Sequence, residues 1–335
     1  MRLGNLKDEW EEFGFSVVAE HIKSKLTGDS QTYLLKRQEV CSRMTLPEIE
    51  KNLKRTFKKV IGRDLNLQNP KSFDEKIQWL KIYDATPLKT KLSDKYLVRS
   101  FVEERTGRKD ILVPLLGAWD SFDDIDFSKL PDQFALKTNH GSGMNFVVSD
   151  KKNFDVKAAK AKFDFWMKLN FAFCFENFEM QYRDIPRKII AEKFIKQMDG
   201  NLYDYKIHCF DGEPVFLQLI GDRNLEKHTA YESFFDLEWK QLPFSEGVYP
   251  SYDASHSPQC PDNWQEMLDV ARRLSEGFDY VRVDLYSISG KTLFGEMTFT
   301  PANGLHPGFT PPETDYEWGN LIHLPEKYFL QYPER

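Results

Sequence analysis

Up to about residue 85, apolar residues recur at helical spacing. In TLPEIEKNLKRTFKKVIG, Leu53, Phe57, Val60 and Ile61 fall on one stripe, Thr45 and Glu48 precede it three apart, and Gly62 closes it. This predicts an amphipathic helix with a capping box at its start and a glycine stop. NPKSFDEKIQWLKIYD repeats the pattern with Ser72 and Glu75. Beyond Ser93 the pattern becomes mixed. SDKYLVRSFVEERTG predicts a helix ended by Gly107, ILVPLLGAW a short strand, and FALKTNHGSGMNFVVSD a strand, a loop and a second strand. A helix is expected from about Asp155 to Phe173, a strand at KIIAEKFI, and a hairpin in YDYKIHCFDGEPVFLQLIGDR turning at Asp211-Gly212. NWQEMLDVARRLSEGF is again amphipathic at helical period. Without a regular βα alternation, the expectation is an α+β chain built on antiparallel sheets.

The last patterned stretch contains RVDLYSISGKTLFGEMTFTPANG. Val281, Val283 and Leu285 alternate with Arg282, Asp284 and Tyr286; Leu293, Met297 and Phe299 alternate with Phe294, Glu296 and Thr298. Two half-buried strands are expected, closed by a three-residue loop with Gly290 at its left-handed position. That register sets Ser287 opposite Lys291 and Arg282 opposite Glu296, with Asp284 diagonal to Glu296 at about 7 Å. One face packs on a core, and the other holds a cation and two carboxylates. Carboxylates this close need positive charge between them. Mg²⁺ suits the pair, because it takes one or two carboxylates plus phosphate oxygens. A surface hairpin with an ion pair is the plainer reading of the same residues.

Composition narrows the partners. The 335 residues suffice for two or three domains or subdomains, and 41% hydrophobic with 29% charged residues is ordinary globular chemistry. A net charge of −6 argues against a dedicated nucleic-acid binder. Cys41, Cys174, Cys209 and Cys260 make no CxxC pair, so reduced thiols and a cytoplasmic protein are expected. MRLGNLKDEWEEFGFSVV is too charged for a signal peptide, and no apolar run approaches the ~20 residues that span a bilayer. The basic run KRTFKKVIGR reads as a solvated helix face, with contact to an anionic polymer or a membrane as the other reading.

Chemistry gathers at a few places. LKTNHGSGMNF puts Lys137 at a strand end before a small-residue loop, His140, Gly141, Ser142 and Gly143, whose backbone can approach anionic oxygens. This is not a P-loop, since the GxxxxGK[ST] order is absent; an ordinary hairpin loop is the bland alternative. IIAEKFI embeds Glu192 and Lys193 in an apolar strand edge. DYKIHCF sets Asp204, Lys206 and His208 on one strand face, with Arg223 at the end of the paired strand.

The blocks NPKSFDEKIQWLKIYD, SDKYLVRSFV, LKTNHGSG, AEKFI, DYKIHCFDGEP, FDYVRVDLY and FGEMTFTPANG, in order over about residues 65 to 325, resemble the ATP-grasp superfamily. Within it they are most similar to the TupA-like branch associated with teichuronopeptide and polysaccharide biosynthesis. The resemblance implies an ATP-grasp fold, two α+β lobes holding ATP between antiparallel sheets. A helical region over 1–85 would precede an ATP-grasp domain over 86–335, with the flap and small lobe at about 130–195 and the metal-bearing large lobe at about 196–335.

The same resemblance implies roles. Lys95 and Lys137 would meet ATP phosphates under the 140–143 flap, and Glu192 with the backbone of Lys193, Phe194 and Ile195 would hold adenine. Lys206 and Arg223 would approach the phosphates. Asp284 and Glu296 would bind Mg²⁺, two ions being expected, and Arg282 would stabilise the transferring phosphoryl group. Many family members carry Asn two residues after the second metal carboxylate; here Thr298 stands there. Arg183, Asn303 and His306 are candidates for the second substrate. His208, His228 and His306 each have an ordinary structural role as the alternative to a general base.

The implied reaction is an ATP-dependent carboxylate–amine ligation through an acyl phosphate. The expected partners are a carbohydrate or sugar-nucleotide carboxylate and an amine, with peripheral contact to polysaccharide machinery left open. Two other readings stand beside it. One is a glycosyltransferase, for which Asp124-Ile125-Asp126 supplies a D-x-D pattern that also reads as an acidic connector. The other is a non-catalytic ATP-binding scaffold.

Overall fold

The computed structural model describes residues 13, 15–28, 30–195, 202–224, 227–253 and 255–334. Its first elements are helices: α1 (Phe15–Thr27), α2 (Ser30–Ser42), α3 (Leu46–Ile61), α4 (Phe73–Tyr83), α5 (Pro87–Ser93) and α6 (Val98–Thr106). Both expected capping boxes form, at Thr45 with Glu48 and at Ser72 with Glu75. Gly62 ends α3 and Gly107 ends α6, each in the left-handed conformation, with φ of 86° and 71°. The remaining elements are β1 (Leu115–Trp119), β2 (Phe134–Thr138), β3 (Asn145–Val148), α7 (Val156–Trp166), α8 (Phe171–Cys174), β4 (Ile189–Lys193), β5 (Asp204–Phe210), β6 (Glu213–Asn224), β7 (Thr229–Phe235), α9 (Trp264–Ser275), β8 (Tyr280–Ile288), β9 (Lys291–Thr298) and α10 (Thr314–Asn320). The single helix expected over 155–173 is two, because the chain turns at Asn170, whose side chain caps α8. Among the described residues, no helix is long and apolar enough to cross a membrane.

The strands form two antiparallel sheets, a small one in the order β1-β4-β2-β3 and a large one in the order β7-β6-β5-β8-β9. Each is amphipathic by alternation. In the small sheet Phe134, Leu136, Ile189 and Ala191 pack under α7 with Phe163, while Ala135, Lys137 and Glu192 face the cleft between the sheets. In the large sheet Ile207, Leu217, Val281 and Val283 pack against Met267, Ala271 and Leu274 of α9.

The opposite face of the large sheet is divided. One half is aromatic: Phe210, Phe216, Phe234 and Tyr280 share a core with Phe73, Ile77 and Trp318, so α4 and α10 seal it. The other half carries Lys206, Arg282, Asp284 and Glu296. The first helices therefore join the core of the large sheet: Leu53 and Phe57 of α3 belong to the same cluster.

Hairpin β8–β9 departs from the expected register in two ways. Its turn is the two-residue Ser289-Gly290, with φ of 51° and 76°, between paired Ile288 and Lys291. Both central residues sit at positive φ, the geometry that matches strand twist. Further along, Gly295 is an extra residue: Asp284 pairs with Glu296, but the next pair is Leu285 with Phe294. This bulge turns Phe294 into the core with Met297 and sets Arg282 opposite Thr298. A Cβ at residue 295 would stand 2.9 Å from the Asp284 carbonyl oxygen and 3.1 Å from the Tyr286 ring, so the position requires glycine.

Candidate active site

The bulge makes the two carboxylates direct cross-strand neighbours rather than a diagonal pair. Asp284 is buried, and its two oxygens accept three hydrogen bonds, one on Oδ1 and two on Oδ2, which leaves Oδ1 room for a further partner. Arg282 donates to both, from Nε at 2.7 Å and Nη2 at 2.8 Å, and Lys206 Nζ donates at 2.6 Å. Burial would raise the Asp284 carboxyl, but the charges of Arg282 and Lys206 outweigh it and hold it below the usual range. Burial would likewise lower the Arg282 guanidinium, and Asp284 reverses that. Glu296 is more open, its side chain 41% exposed, with Lys95 Nζ at 3.5 Å. Partial burial and the opposed Asp284 carboxylate push it up, and Lys95, with Lys206 and Arg282, carries it below the ordinary glutamate value. Thr298 Oγ1 lies 3.3 Å from Glu296 Oε1 and accepts from Arg282 Nη2 at 3.3 Å.

Lys206, Asp284 and Glu296 form one wall of a cleft whose other wall is the small sheet; Arg282 and Thr298, though bonded to these carboxylates, are outside its lining. Lys95, Lys137, Gly141, Ser142, Gly143, Glu192, Lys193, Ile195, Lys206, Asp284 and Glu296 all line it. The glycine loop closes on itself through Thr138 N to Met144 O at 3.0 Å. Asn139 anchors it: its Oδ1 accepts from Lys188 N at 2.7 Å and its Nδ2 donates to Pro186 O at 2.8 Å. Lys95 Nζ donates to Gly141 O at 2.8 Å, so this lysine touches both walls. Lys137 and Arg99 hold the Glu192 carboxylate at 2.7 and 3.3 Å. Next to this, Leu112, Val113, Pro114, Phe194, Ile195 and Leu293 line an adjoining, mainly apolar recess.

Several expected site residues stand apart. The His140 ring is turned out of the cleft: Nε2 faces Trp166 O at 3.2 Å and Nδ1 faces Asn139 Oδ1 at 3.3 Å. Burial lowers it to about 4, so it sits neutral at physiological pH and props the loop. Arg223 is paired with Asp204 at 2.5 Å beside the cleft rather than within its lining. Arg183 is bound by Asp184 and by Gln331 O at 2.9 Å. His306 is buried against Asp74, 2.6 Å from Nδ1, with Glu246 3.5 Å from Nε2. His208 is buried, stacked on Phe216, and driven well below the usual histidine value by burial. Asn303 lies in a separate groove. Asp126 caps a surface turn at Ser128 N, 3.0 Å away, and Asp124 is exposed, so the D-x-D pattern serves a connector outside the cleft.

Sequence reasoning missed Arg99, Tyr286 and Gly295, all of which line the cleft. Tyr286 was available from the alternation with Arg282 and Asp284, and an isolated glycine within a strand pattern is itself a bulge signal. Arg99 carries no such mark. Glu179 was missed as well: it is buried, accepts from the Thr300 hydroxyl, and is raised by burial.

A family model, TupA-like ATPgrasp, matches residues 75–323. The chain belongs to the TupA-like ATP-grasp family. Solved structures that resemble it are distant. A D-alanine–D-alanine ligase from Bacillus anthracis complexed with ATP is 17% identical, with 63% of this chain and 55% of that one covered, at a TM-score of 0.37. A RimK domain protein ATP-grasp from Sphaerobacter thermophilus is 11% identical over 70% and 69% of the two chains, at 0.38. The ATP-grasp ligase PsnB, complexed with a phosphomimetic variant of minimal precursor, Mg and ADP, is 10% identical over 64% and 53%, at 0.36. This TupA-like chain thus spans little over half the length of the first of these ligases. No curated protein matches it.

Proposed function

We propose that this TupA-like protein is an ATP-dependent carboxylate–amine ligase that activates a sugar carboxylate for attack by an amine. The observation that carries the reading is the Asp284–Glu296 pair, directly opposed and facing a cleft under a glycine loop. Among the described residues, no three His, Cys, Asp or Glu side chains gather closely enough to hold a metal on their own. The donor set fits Mg²⁺, which completes its shell with phosphate oxygens and water. Asp284 and Glu296 would hold it, with the Thr298 hydroxyl beside them; when bound it neutralises phosphate charge.

The chain's own groups account for the rest. Lys95 and Lys137 reach the cleft from the small-sheet side, and Lys206 from the large sheet. The glycine loop presents backbone to anionic oxygens, and the apolar recess by Phe194 and Ile195 suits a planar base. Phosphoryl transfer asks mainly for alignment and charge neutralisation, so a site of lysines, arginines and carboxylates without a nucleophilic side chain is sufficient. Transfer of the γ-phosphoryl group to a carboxylate oxygen would release ADP. Attack of the amine on the carbonyl would then expel phosphate. A cytoplasmic protein working on precursors of a surface polysaccharide fits this chemistry.

The test is ADP and phosphate release with a panel of uronic acids and amines. Release is expected to require acid, amine and Mg²⁺ together. Release of AMP, or thermal stabilisation by nucleotide sugars but not by ATP–Mg²⁺, would overturn the proposal.

A further inference from the structure

A second concavity shares none of the cleft's lining residues. It lies between α3 and the segments around residues 175–177 and 303–305, and its wall includes Arg37, Arg55, Lys58, Lys59, Phe175 and Asn303. Glu176 is the one acid in this lining among the described residues. It pairs with Arg37 and stands 3.9 Å from Arg55. Among the described residues Lys58 pairs with Asp64, and both side chains are well exposed, at 63% and 85%, so that pair is weak. On a chain of net charge −6 this is a local excess of positive charge. It comes from the basic run KRTFKKVIGR, which the cleft does not use.

Three further features mark the groove as more than a solvated helix face. Phe175 is 48% exposed and Val60 40%, an apolar floor beside the cations. The backbone is left-handed at Glu176 and Phe178, with φ of 58° and 50°, and again at Ala302 and Asn303, with φ of 43° and 59°. Such non-glycine conformations persist where surrounding structure enforces them, commonly at ligand sites. Asn303 Oδ1 is enclosed with no hydrogen-bond partner, although its Nδ2 donates to Asn177 Oδ1 at 3.0 Å. Behind the groove Asn177 Nδ2 donates to Glu179 Oε2 at 3.3 Å, and Glu179 accepts from the Thr300 hydroxyl just past β9. Glu179 and Gln181 are both buried. Gln181 Nε2 donates to the same Thr300 hydroxyl at 2.8 Å, so buried side chains link the groove to the end of β9.

We propose that this groove binds an acidic saccharide chain, holding the units next to the one whose carboxylate is activated. This rests on the ligase reading for the identity of the reacting group. Cations one helical turn apart suit charges that recur along a chain. An exposed aromatic ring suits the apolar face of a sugar, and the ammonium groups of Lys58 and Lys59 suit its carboxylates. A concave surface fits a chain better than a bilayer. Because Glu179 and Gln181 stand between the groove and the end of β9, the bound unit is a neighbour of the reacting one, which favours a polymer over a monomer.

The experiment is fluorescence anisotropy with labelled hexagalacturonate on the full chain, with maltohexaose as the neutral control. Hexagalacturonate is expected to bind, more weakly as salt rises, and maltohexaose not to bind. Lys58→Glu with Lys59→Glu should weaken binding by about tenfold or more while the thermal shift with ATP–Mg²⁺ is unchanged. Phe175→Ala, which leaves the charge intact, should also weaken it. Absence of hexagalacturonate binding, or equal affinity in both variants, overturns the proposal. So does equal competition by UDP-glucuronic acid, which would assign the groove to nucleotide sugars, or binding to phosphatidylglycerol vesicles in place of the saccharide. No turnover is measured, so a failed ligase assay and a failed groove are separate results.

Discussion

Asp284 and Glu296 face the same cleft, yet their removal should have different consequences. Asp284 is the counter-charge of two nearly buried cations, Arg282 and Lys206. Asp284→Asn should abolish ADP release and also destabilise the fold, by about 3–5 kcal/mol in urea titration, because it leaves buried positive charge unpaired. Glu296 is open and touches Lys95 at 3.5 Å. Glu296→Gln should abolish ADP release with less than about 1 kcal/mol change in stability. His306 supplies a pH signature. Burial alone would lower it, but Glu246 and Asp74 raise it to about 9. A folded value above the unfolded one means the stabilisation is complete below about pH 6.5 and is lost as pH rises through about 9. The difference in unfolding free energy from urea titration between the wild type and His306→Asn should therefore shrink between pH 6 and 9.5, by an amount on the order of 3 kcal/mol. Individual roles were the least legible part of the sequence. His140 and His306 carry the right chemistry for a site, but their burial against Trp166 and Asp74 depends on contacts distant in the chain.

At the level of elements the pattern was more informative. Capping boxes and glycine stops act within one turn, so α3 and α4 could be read from Thr45, Glu48, Ser72 and Glu75. Alternation placed Arg282, Asp284 and Tyr286 on one strand face. What it could not supply was the register, since one extra residue in β9 leaves both strand patterns readable. Gly295 decides it, and with it whether the carboxylates are opposed or diagonal. Gly295→Ala should lower the rate of ADP release at least about tenfold and cost about 1–3 kcal/mol of stability, through the clash with the Asp284 carbonyl and the Tyr286 ring. Parallel measurement of kcat and urea midpoint checks both. The strand β7 was not anticipated; its outward positions are mixed, and it is an edge strand that pairs with β6.

For the molecule as a whole, the antiparallel sheets were expected from the order of elements. The division of one sheet face into an aromatic half and a charged half was not, because the helices that seal the aromatic half come from both ends of the chain. If the cleft is the nucleotide site, ATP–Mg²⁺ at about 100 times its dissociation constant should add about 2.7 kcal/mol of stability in thermal or urea unfolding. Glu296→Gln should lose most of that gain at the same concentration.

Lys95 has a mechanical consequence. Its main chain is fastened to Asn139 at 3.1 Å, its ammonium to Gly141 at 2.8 Å, and the same ammonium reaches Glu296 across the gap at 3.5 Å. One side chain thus cross-braces the two lobes. Solution scattering should accordingly register a larger radius of gyration for Lys95→Met than for the wild type.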